Sequence, residues 1–509
     1  MLKRKNPKVF LVGVGPGNEQ LITQAALECI KNADVIIYDH LMSEALLDNR
    51  KPQAKVIYAG KFPGSHTLPQ KSINALLLKH AKESNIVVRL KGGDPFLFGR
   101  GSEEALVLKK ARIPFEIVPG VSSGFAVAAY SGIPLTHRGI SSYVTFVTGH
   151  EDPTKLESSV DWKKLAALDG TLVIFMGMAN LKLITSLLIK YAKQKNTPVC
   201  ITQWGTLPIQ RSVIGTLENI SSKAKTAGID HPAIIIIGNV VKLRKDLNWF
   251  EKKPLFGKKI LITRPLSLAK ELSQELERNG AQTISYPLIE VVKEKGLQDY
   301  QVIDKFKQAD WVLFTSRNAV QICFDILDKQ NKDVRFLKDV KFAVLGSQTQ
   351  NMLRARGIIA DIVPKKFYME SLISEFKNID IKKKRIFIPH SKQGRPILVE
   401  ELSKQGAIID ELFVYHVAPP KSASKQQLMK LLKQENFDII TFTSSSCVHQ
   451  FMRFADQDKQ LLEKQVFAVI GPITKKTLEG YGFQAAIDAK VYTASGLVRS
   501  IQQYKGGNK

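Results

Sequence analysis

Short apolar stretches of strand length alternate along the chain with longer stretches in which apolar residues recur at helical spacing. Residues 8–23, KVFLVGVGPGNEQLIT, show the pattern: an apolar strand runs into a glycine-rich turn and then into the start of a helix. The same order of strand, turn and helix recurs in both halves of the chain, which is typical of α/β proteins. The pattern therefore predicts an α/β fold throughout the 509 residues.

The pattern breaks between residues 242 and 259, KLRKDLNWFEKKPLFGKK, where charge is dense and no apolar period is sustained. We place a domain boundary near residues 246–256, with one domain over 1–249 and a second over 257–509, and we expect few residues of this segment to be buried. The chain is long enough for two cores, because single cores rarely grow beyond about 250–300 residues.

The second half contains an internal repeat. ADWVLFTSRNAVQICF at 309–324 is echoed by FDIITFTSSSCVHQF at 437–451, and KFAVLGSQTQNMLRARG at 341–357 is echoed by VFAVIGPITKKTLEGYG at 466–482. In each copy an apolar strand ends in small residues and a helix follows. Because ligands of open α/β sheets bind beyond the carboxyl ends of strands, the repeat predicts two similar lobes whose strand tips, Thr315–Ser316 and Thr443–Ser444, face each other across a cleft.

Composition narrows the possible functions. The four cysteines are scattered and form no CxxC pair, which predicts neither a disulfide framework nor a zinc site and favours a reducing, cytoplasmic setting. No apolar run reaches the roughly 18 residues that a membrane span requires. The net charge of +27 fits either a lysine-rich proteome or capture of a poly-anionic small substrate. The chain has no zinc finger, no RNP-type motif and no basic stripe with interleaved aromatics, so we expect no nucleic-acid partner.

The opening glycine turn has two interpretations. Gly13 and Gly15 match the first two glycines of a dinucleotide fingerprint, and Asp39 follows the next strand, but Asn18 occupies the third glycine position. Glycine-bounded turns also follow several later strands, as in LKGGDP, VPGVSSG and IFMGM. Several small-residue loops at strand ends suit a folded adenosyl ligand held by backbone groups better than an extended pyrophosphate, so dinucleotide binding stays a weak alternative.

Nine motifs occur between residues 8 and about 245: GVGPGN, VIIYDHL, GKFPGSHTLPQKSIN, VVRLKGGDPFLFGRGSEE, VPGVSSG, AYSGIPLTHRG, FVTGH, TLVIFMG and GTLPIQRSVIGTL. In this order the region resembles the uroporphyrinogen-III C-methyltransferases of the tetrapyrrole methylase superfamily. Asn18 and Ser122–Ser123 depart slightly from the family's pattern. The resemblance implies a two-lobed methylase fold, usually a homodimer, that transfers two methyl groups from S-adenosylmethionine to ring carbons of uroporphyrinogen III and gives precorrin-2.

The same resemblance implies roles for individual residues. Asp39 is the base that removes a proton and Lys61 the complementary acid; the alternatives are that Asp39 caps the following helix and that Lys61 is a solvated loop lysine. The residues implicated in binding S-adenosylmethionine are Pro16, Gly92, Gly93, Asp94, Leu97, Ser122, Ser123, Met176, Gly205 and Ala233. Ordinary core packing is the alternative for Met176.

The acetate and propionate groups of the tetrapyrrole call for cationic receptors. The candidates beside the glycine motifs are Arg89, Lys91, Arg100, His137 and Arg138. Arg100 has an alternative, an ion pair with Glu103 or Glu104 at the start of a helix. His137 has no second histidine or cysteine at ligand spacing, so no metal is predicted.

Six motifs follow one another between residue 257 and about 503: ILITRP, FTSRNAV, VYHV, FTSSSCV, IGPIT and YTASGLV. This half resembles uroporphyrinogen-III synthases more loosely, and it departs from that family at Gln350 and at the turn within 388–402. The resemblance implies two flavodoxin-like lobes, about 257–290 with 420–503 and 291–419, that close hydroxymethylbilane into a ring while inverting its last pyrrole. Tyr415 occupies the place of the family's helper tyrosine, with strand-end packing as its alternative. The candidate hydrogen-bond donors to substrate carboxylates are Thr349, Ser444 and Thr474.

Together the two halves predict a bifunctional enzyme that makes uroporphyrinogen III and then methylates it, on the way to sirohaem or cobalamin. Both substrates are poly-carboxylates, which offers a use for the positive charge. Two alternatives stay open: a degenerate synthase half that only binds tetrapyrrole, and methylation of a later corrinoid precursor.

Overall fold

The structure, a computed structural model, describes residues 9–39, 42–60, 69–84, 86–150, 159–366, 368–392, 396–456 and 458–505. Contacts divide the chain into two compact units, one comprising 1–258 and 276–282 and the other 259–275 and 283–509. Lys61 lies outside the described residues. No helix in the described part of the chain is both long and apolar enough to cross a membrane.

The first unit contains two five-stranded sheets. The strands of its first sheet are β1 (Val9–Gly13), β2 (Val35–Tyr38), β3 (Lys55–Tyr58), β4 (Val87–Lys91) and β5 (Phe115–Val118). The helices between and after them are α1 (Gln24–Asn32), α2 (Gln70–Glu83), α3 (Gly101–Lys110) and α4 (Ser123–Tyr130), with 3-10 turns at Glu19–Leu21 and Glu44–Asn49. β1 and β2 are apolar along nearly their whole length, as expected of strands buried on both faces, and β4 is buried throughout although it carries two cationic residues.

The order of strands in the first sheet is β3-β2-β4-β1-β5, and every pairing is parallel. The chain leaves β1 toward β2 on one side and leaves the adjacent β4 toward β5 on the other. Each of these connections passes over the other strand, so two adjacent strands are continued in opposite directions, which makes a topological switch point, the place where open α/β sheets form a ligand crevice beyond the carboxyl ends of their strands. This crevice lies beside the glycine turns after β1 and β4.

The strands of the second sheet are β6 (Val144–Thr148), β7 (Thr171–Phe175), β8 (Pro198–Gln203), β9 (Arg211–Thr216) and β10 (Ala233–Ile237). Its helices are α5 (Trp162–Ala167), α6 (Leu181–Lys190), α7 (Ile220–Thr226) and α8 (Arg244–Leu247), with a 3-10 turn at Asn239–Leu243. The order is β6-β7-β10-β8-β9, with only the β6–β7 pair parallel. An apolar core of isoleucine, leucine and valine side chains packs between its strands and helices.

The second unit also contains two five-stranded sheets. Its strands are β11 (Lys259–Ile262), β12 (Gln282–Ser285), β13 (Glu290–Lys293), β14 (Trp311–Phe314), β15 (Lys341–Val344), β16 (Arg385–Ser391), β17 (Ile408–Ala418), β18 (Ile439–Phe442), β19 (Phe467–Val469) and β20 (Ala485–Asp488). Its helices are α9 (Leu266–Arg278), α10 (Asp299–Gln308), α11 (Arg317–Lys329), α12 (Ser347–Ala355), α13 (Met369–Phe376), α14 (Ile397–Lys404), α15 (Lys425–Gln434), α16 (Ser445–Phe454), α17 (Lys459–Leu462), α18 (Pro472–Gly480) and α19 (Ala494–Gln503), with a 3-10 turn at Val334–Leu337.

The strand orders of these sheets are β12-β11-β18-β19-β20 and β13-β17-β16-β14-β15. The first combines strands from both ends of the unit, whereas the second is built from one continuous middle segment. Each sheet has its own switch point, between β11 and β18 in one and between β14 and β16 in the other. The predicted α/β fold, two-lobed in each half, is confirmed.

Few residues of 246–256 are buried, as predicted, but those few attach the segment to the rest of the first unit. Phe250 and Leu255 are each 3% exposed, and the ring of Phe250 lies 4.7 Å from that of Tyr130 on α4. Trp249 donates its indole N–H to the carbonyl of Ala129 at 3.0 Å. Apolar side chains spaced between the charges of this segment pack onto the rest of the first unit, and Lys253 Nζ lies over the rings of Trp249 and Phe250 at 5.0 and 5.2 Å.

Candidate active sites

The crevice beyond β1 and β4 is built from backbone. Gly15 and Gly93 exchange hydrogen bonds, N–H to carbonyl, at 3.3 and 2.7 Å. A Cβ added at Gly13 would lie 2.6 Å from the carbonyl oxygen of Gly93, and one added at Gly120 would lie 2.2 Å from it. Asp94 accepts the N–H of Gly120 at 3.1 Å. Only glycines allow the three strand-end turns to pack this closely, which leaves backbone groups to line the crevice.

Other residues predicted to bind S-adenosylmethionine lie near this backbone. Ser122 caps α4, and the N–H of Ser123 would lie 3.6 Å from a Cβ on Gly93. Leu97, in the loop after β4, packs against the core of the second sheet. Pro16 follows β1 in the turn of the opening motif, next to Gly15.

Backbone strain marks the facing ends of the second sheet. Met176, directly after β7, has φ of +57° and a half-exposed side chain, whereas packing into the core is the usual environment of methionine. Trp204 and Thr206, which flank Gly205 after β8, have φ of +50° and +72°. Such strain in non-glycine residues is characteristic of ligand sites. Ala233, by contrast, lies in regular β10 and pairs with Gln203.

A buried charge network joins Asp39 to β4. Arg89 contacts Asp39 through Nη2 at 3.0 Å and Glu104 through Nε at 3.4 Å, and Lys91 Nζ lies 3.0 Å from the same Glu104 oxygen. Glu104, on α3, is fully buried, and Arg89 and Lys91 are 2% and 5% exposed. Burial and the neighbouring Arg89 lower the pKa of Lys91, and Glu104 opposes that change. The side chain of Asp39 is 28% exposed, so its carboxylate is held by the buried Arg89 and is also partly accessible to solvent.

The remaining predicted substrate residues lie apart from this network. Arg100 precedes α3 with φ of +58° and pairs with Glu103 at 2.8 and 2.9 Å, the alternative that the sequence left open. His137 and Arg138 are exposed in the loop between α4 and β6, where the His137 ring contacts the Arg138 carbonyl at 2.8 Å. The cap of the helical turn after β2 is Ser43 and not Asp39.

In the second unit, Tyr415 reaches the switch point of the middle sheet. Its hydroxyl lies 2.9 Å from Ser316 Oγ, and Ser316 caps α11 directly beyond β14 by accepting the N–H of Ala319 at 3.2 Å. Tyr415 lies in β17 opposite Ser391 and is 6% exposed. The phenol ring is therefore buried, and its hydroxyl is held at the tip of a neighbouring strand.

The three predicted carboxylate donors occupy equivalent places at the starts of helices. Ser444 caps α16 by accepting the N–H of Cys447 at 3.3 Å. Thr349 in α12 and Thr474 in α18 are 4% and 5% exposed, and Thr349 donates to the carbonyl of Leu345 at 2.9 Å. Their hydroxyls lie beyond different strands, and no recorded contact among the described residues joins them to Tyr415.

Sequence reasoning missed two arginines. Arg264 follows β11 and is 5% exposed, and Arg317 begins α11. Nε and Nη1 of Arg264 and Nη2 of Arg317 are buried and have no hydrogen-bond partner in the part of the chain that the structure describes. The signal was available, because both residues stand just beyond strand tips inside the motifs ILITRP and FTSRNAV.

Comparison with known proteins identifies both halves. Residues 8–221 match the family model "Tetrapyrrole (Corrin/Porphyrin) Methylases", and residues 270–499 match "Uroporphyrinogen-III synthase HemD". The "Porphyrin biosynthesis protein HemD" of Ruminiclostridium josui is 34% identical over 501 residues, which is 98% of either chain. The "S-adenosyl-L-methionine-dependent uroporphyrinogen III methyltransferase" of Methanosarcina barkeri is 51% identical over 46% of this chain and 92% of its own.

Among solved structures, the chain is similar to uroporphyrin-III C-methyltransferase from Thermus thermophilus complexed with S-adenyl homocysteine. The sequence identity is 36% and the TM-score 0.40, over 46% of this chain and 94% of that one.

Proposed function

The chain belongs to the proteins that join a tetrapyrrole methylase to a uroporphyrinogen-III synthase, and from that premise we propose that it converts hydroxymethylbilane to uroporphyrinogen III and methylates this product twice to precorrin-2. It is an S-adenosylmethionine-dependent methyltransferase in its first half and a synthase in its second. The product of one half is the substrate of the other, which gives the fusion a chemical rationale.

The methyltransferase site requires a cofactor pocket and a base. S-adenosylmethionine, when bound, supplies an electrophilic methyl group on a sulfonium. The residues fit such a ligand, because crowded glycine turns present backbone groups at the crevice and Leu97 and Met176 offer apolar surface beside it. We assign Gly92, Gly93 and Asp94 to this pocket because they form the turn beyond the switch-point strand β4.

The observation that carries the methyltransferase proposal is the contact between Asp39 and Arg89. A pyrrole carbon that accepts a methyl group must afterwards lose a proton, and a positioned carboxylate performs that transfer. Arg89 holds Asp39 from the buried side, and the Asp39 side chain is 28% exposed. In this proposal Lys61 acts as the complementary acid, a role that rests on the sequence resemblance alone.

The synthase proposal rests on the hydroxyl of Tyr415 at the switch point of the middle sheet. Ring closure requires loss of hydroxide from the linear substrate, and a phenol held against Ser316 is placed to assist that departure by hydrogen bonding. Thr349, Ser444 and Thr474 stand at helix starts around the carboxyl ends of strands, where we assign them as donors to substrate carboxylates; Thr349 and Ser444 exchange their present bonds, to the Leu345 carbonyl and to Cys447 Sγ, for bonds to the substrate.

The test uses the purified full chain with hydroxymethylbilane, with and without S-adenosylmethionine. Without it we expect the type III isomer in place of the type I ring that forms spontaneously. With it we expect the absorbance spectrum and mass of precorrin-2. Type I product alone would leave the second half a tetrapyrrole-binding module, and failure to methylate supplied uroporphyrinogen III would direct attention to a later corrinoid precursor.

A further inference from the structure

We propose that Arg264 and Arg317 together bind a carboxylate group of the linear tetrapyrrole substrate in the second unit. The inference deepens the synthase proposal and rests on it for the identity of the substrate. It is carried by three observations: buried guanidinium nitrogens on both arginines that have no hydrogen-bond partner, the position of the two residues at two switch points, and the lack of an ion pair on either of them within the described residues.

Arg264 is fixed in place by the strand before it. Thr263 donates its hydroxyl to the carbonyl of Thr441 at 2.7 Å, and Thr441 donates to the carbonyl of Leu261 at 3.0 Å, so β11 and β18 are locked together at their carboxyl ends. Pro265 then begins the turn into α9. The side chain of Arg264 is thereby held in the interior, although Nε and Nη1 find no acceptor among the described residues.

Arg317 begins a helix that is well capped. Ser316 satisfies the N–H of Ala319, and α11 continues for 13 residues, so the helix adds partial positive charge beside the guanidinium. Nη2 of Arg317 is also buried without an acceptor in the described chain. Tyr415 contacts Ser316, so the arginine lies next to the group that we assign to ring closure.

The topology brings the two arginines to the places where α/β sheets bind ligands. Arg264 directly follows β11, at the switch point between β11 and β18, and Arg317 follows β14, at the switch point between β14 and β16. They belong to different sheets of one compact unit. Burial lowers the pKa of Arg264, and the positive charge of Arg317 lowers it further.

A buried cation beside a second, half-buried one is costly for the protein when no anion pairs with them. Glu271 on α9 offsets part of the repulsion, but it is exposed and forms no recorded ion pair with either arginine within the described chain. Other buried arginines of this chain have a carboxylate in direct contact, as Arg244 has in Glu251. A planar carboxylate matches these unpartnered donors, because guanidinium groups bind carboxylates through paired N–H donors. The substrate carries such groups around its rim.

The test replaces each arginine in the full chain, as Arg264→Gln and Arg317→Gln, with Arg499→Gln on the exposed face of α19 as the control. We expect the KM for hydroxymethylbilane to rise roughly 10- to 100-fold in each variant, with kcat changed much less, because charged hydrogen bonds to the substrate are lost. The control should match the wild type. Unchanged KM in both variants would overturn the inference.

A binding measurement separates this inference from the synthase proposal. Anaerobic uroporphyrinogen III, titrated without S-adenosylmethionine, should occupy two sites per wild-type chain and one per variant chain. If the wild type yields only type I product but still loses one site in the variants, the synthase proposal fails and the binding site stands. A single site already in the wild type, or two sites in both variants, would overturn the inference.

Thermal unfolding distinguishes a binding role from a structural one. Arg264→Met fills similar space without charge, so the ligand-free variant should melt no lower than the wild type, because an uncompensated buried charge is removed. The stabilisation that uroporphyrinogen III gives should shrink at the same time. A lower melting temperature with unchanged ligand stabilisation would show that Arg264 holds the fold together and binds nothing.

Discussion

Both units place two cationic side chains at the ends of switch-point strands, but the first unit buries a carboxylate with them, whereas the second holds no carboxylate against them within the described residues. Arg89 and Lys91 share Glu104, which is fully buried between them. Arg264 and Arg317 have no such partner among the described residues. A neutralised cluster is part of the scaffold, whereas an unneutralised one is arranged for an anion that arrives from outside.

The cluster of Arg89, Lys91 and Glu104 has a different role from the one predicted if its carboxylate already neutralises its cations. Arg89 and Lys91 were predicted as receptors for substrate carboxylates, and that role remains a prediction. Their contacts favour a role in positioning Asp39, because Arg89 contacts Glu104 through Nε and Asp39 through Nη2. The first unit therefore presents an oriented base to its crevice, and the second presents charge.

Replacing the base should give the largest effect on the first unit. We expect Asp39→Ala to slow methyl transfer about 10²–10⁴-fold, because a positioned base contributes that much, while S-adenosylmethionine still binds. Single-turnover transfer to uroporphyrinogen III and calorimetric binding measure the two quantities. Asp48→Ala, at an exposed position of the turn after β2, is the matched control. A rate within a factor of about two of wild type would reduce Asp39 to a structural partner of Arg89.

Removing the shared carboxylate should break the first cluster. Glu104→Gln leaves Lys91 buried without a carboxylate in contact and Arg89 with Asp39 alone, and we expect a loss of about 3–5 kcal/mol in the free energy of unfolding. Glu103→Gln, which loses only the exposed pair with Arg100, should cost less than about 1 kcal/mol. Denaturant unfolding of the full chain measures both. If Glu104→Gln keeps its stability but binds uroporphyrinogen III more weakly, the two cations act on substrate as the sequence predicted.

A smaller effect is expected where the second unit uses a neutral group. Tyr415→Phe should lower formation of the type III isomer about fivefold, the value of one uncharged hydrogen bond, and raise the share of type I. Tyr286→Phe is the control, because its hydroxyl also has a hydrogen-bond partner, the carbonyl of Ser424 at 2.9 Å. An unaltered isomer ratio in Tyr415→Phe would favour the alternative of strand-end packing.

Features set by the backbone could be predicted from the sequence, whereas the partners of charged side chains could not. Glycine turns can be recognised in a sequence because close backbone packing excludes every other residue, as at Gly13 and Gly120. The strand ends of the first unit were therefore predicted correctly. The partners of buried charges cannot be predicted in this way. Glu104 lies 13 positions after Lys91, and only the fold brings α3 and β4 close enough for the two side chains to pair. Arg264 was missed for a related reason. Its position after a strand can be read from the sequence, but the lack of a hydrogen-bond partner for its buried Nε and Nη1 can be seen only in the structure.

The packing of residues 246–256 decides where the chain can be divided with the least effect. A cut after 249 would strip Phe250 from its contact with Tyr130, and loss of a buried phenylalanine costs about 3–5 kcal/mol. A cut between 257 and 258 instead removes two hydrogen bonds to 276–282, Leu255 N–H to Asn279 at 2.9 Å and Lys253 to Arg278 at 2.6 Å.

We therefore expect fragments 1–257 and 258–509, produced separately, to keep methyltransferase and synthase activities within a factor of about two of the full chain. Fragment 1–249 should melt lower than 1–257, since the aromatic contacts made by Phe250 and the buried Leu255 are gone. The comparison of the two units depends on this result, because it treats each crevice as complete within its own unit. If 258–509 folds but makes type III product only when 1–257 is added back, the second crevice needs residues of the first unit, and Arg264 and Arg317 alone do not account for its charge.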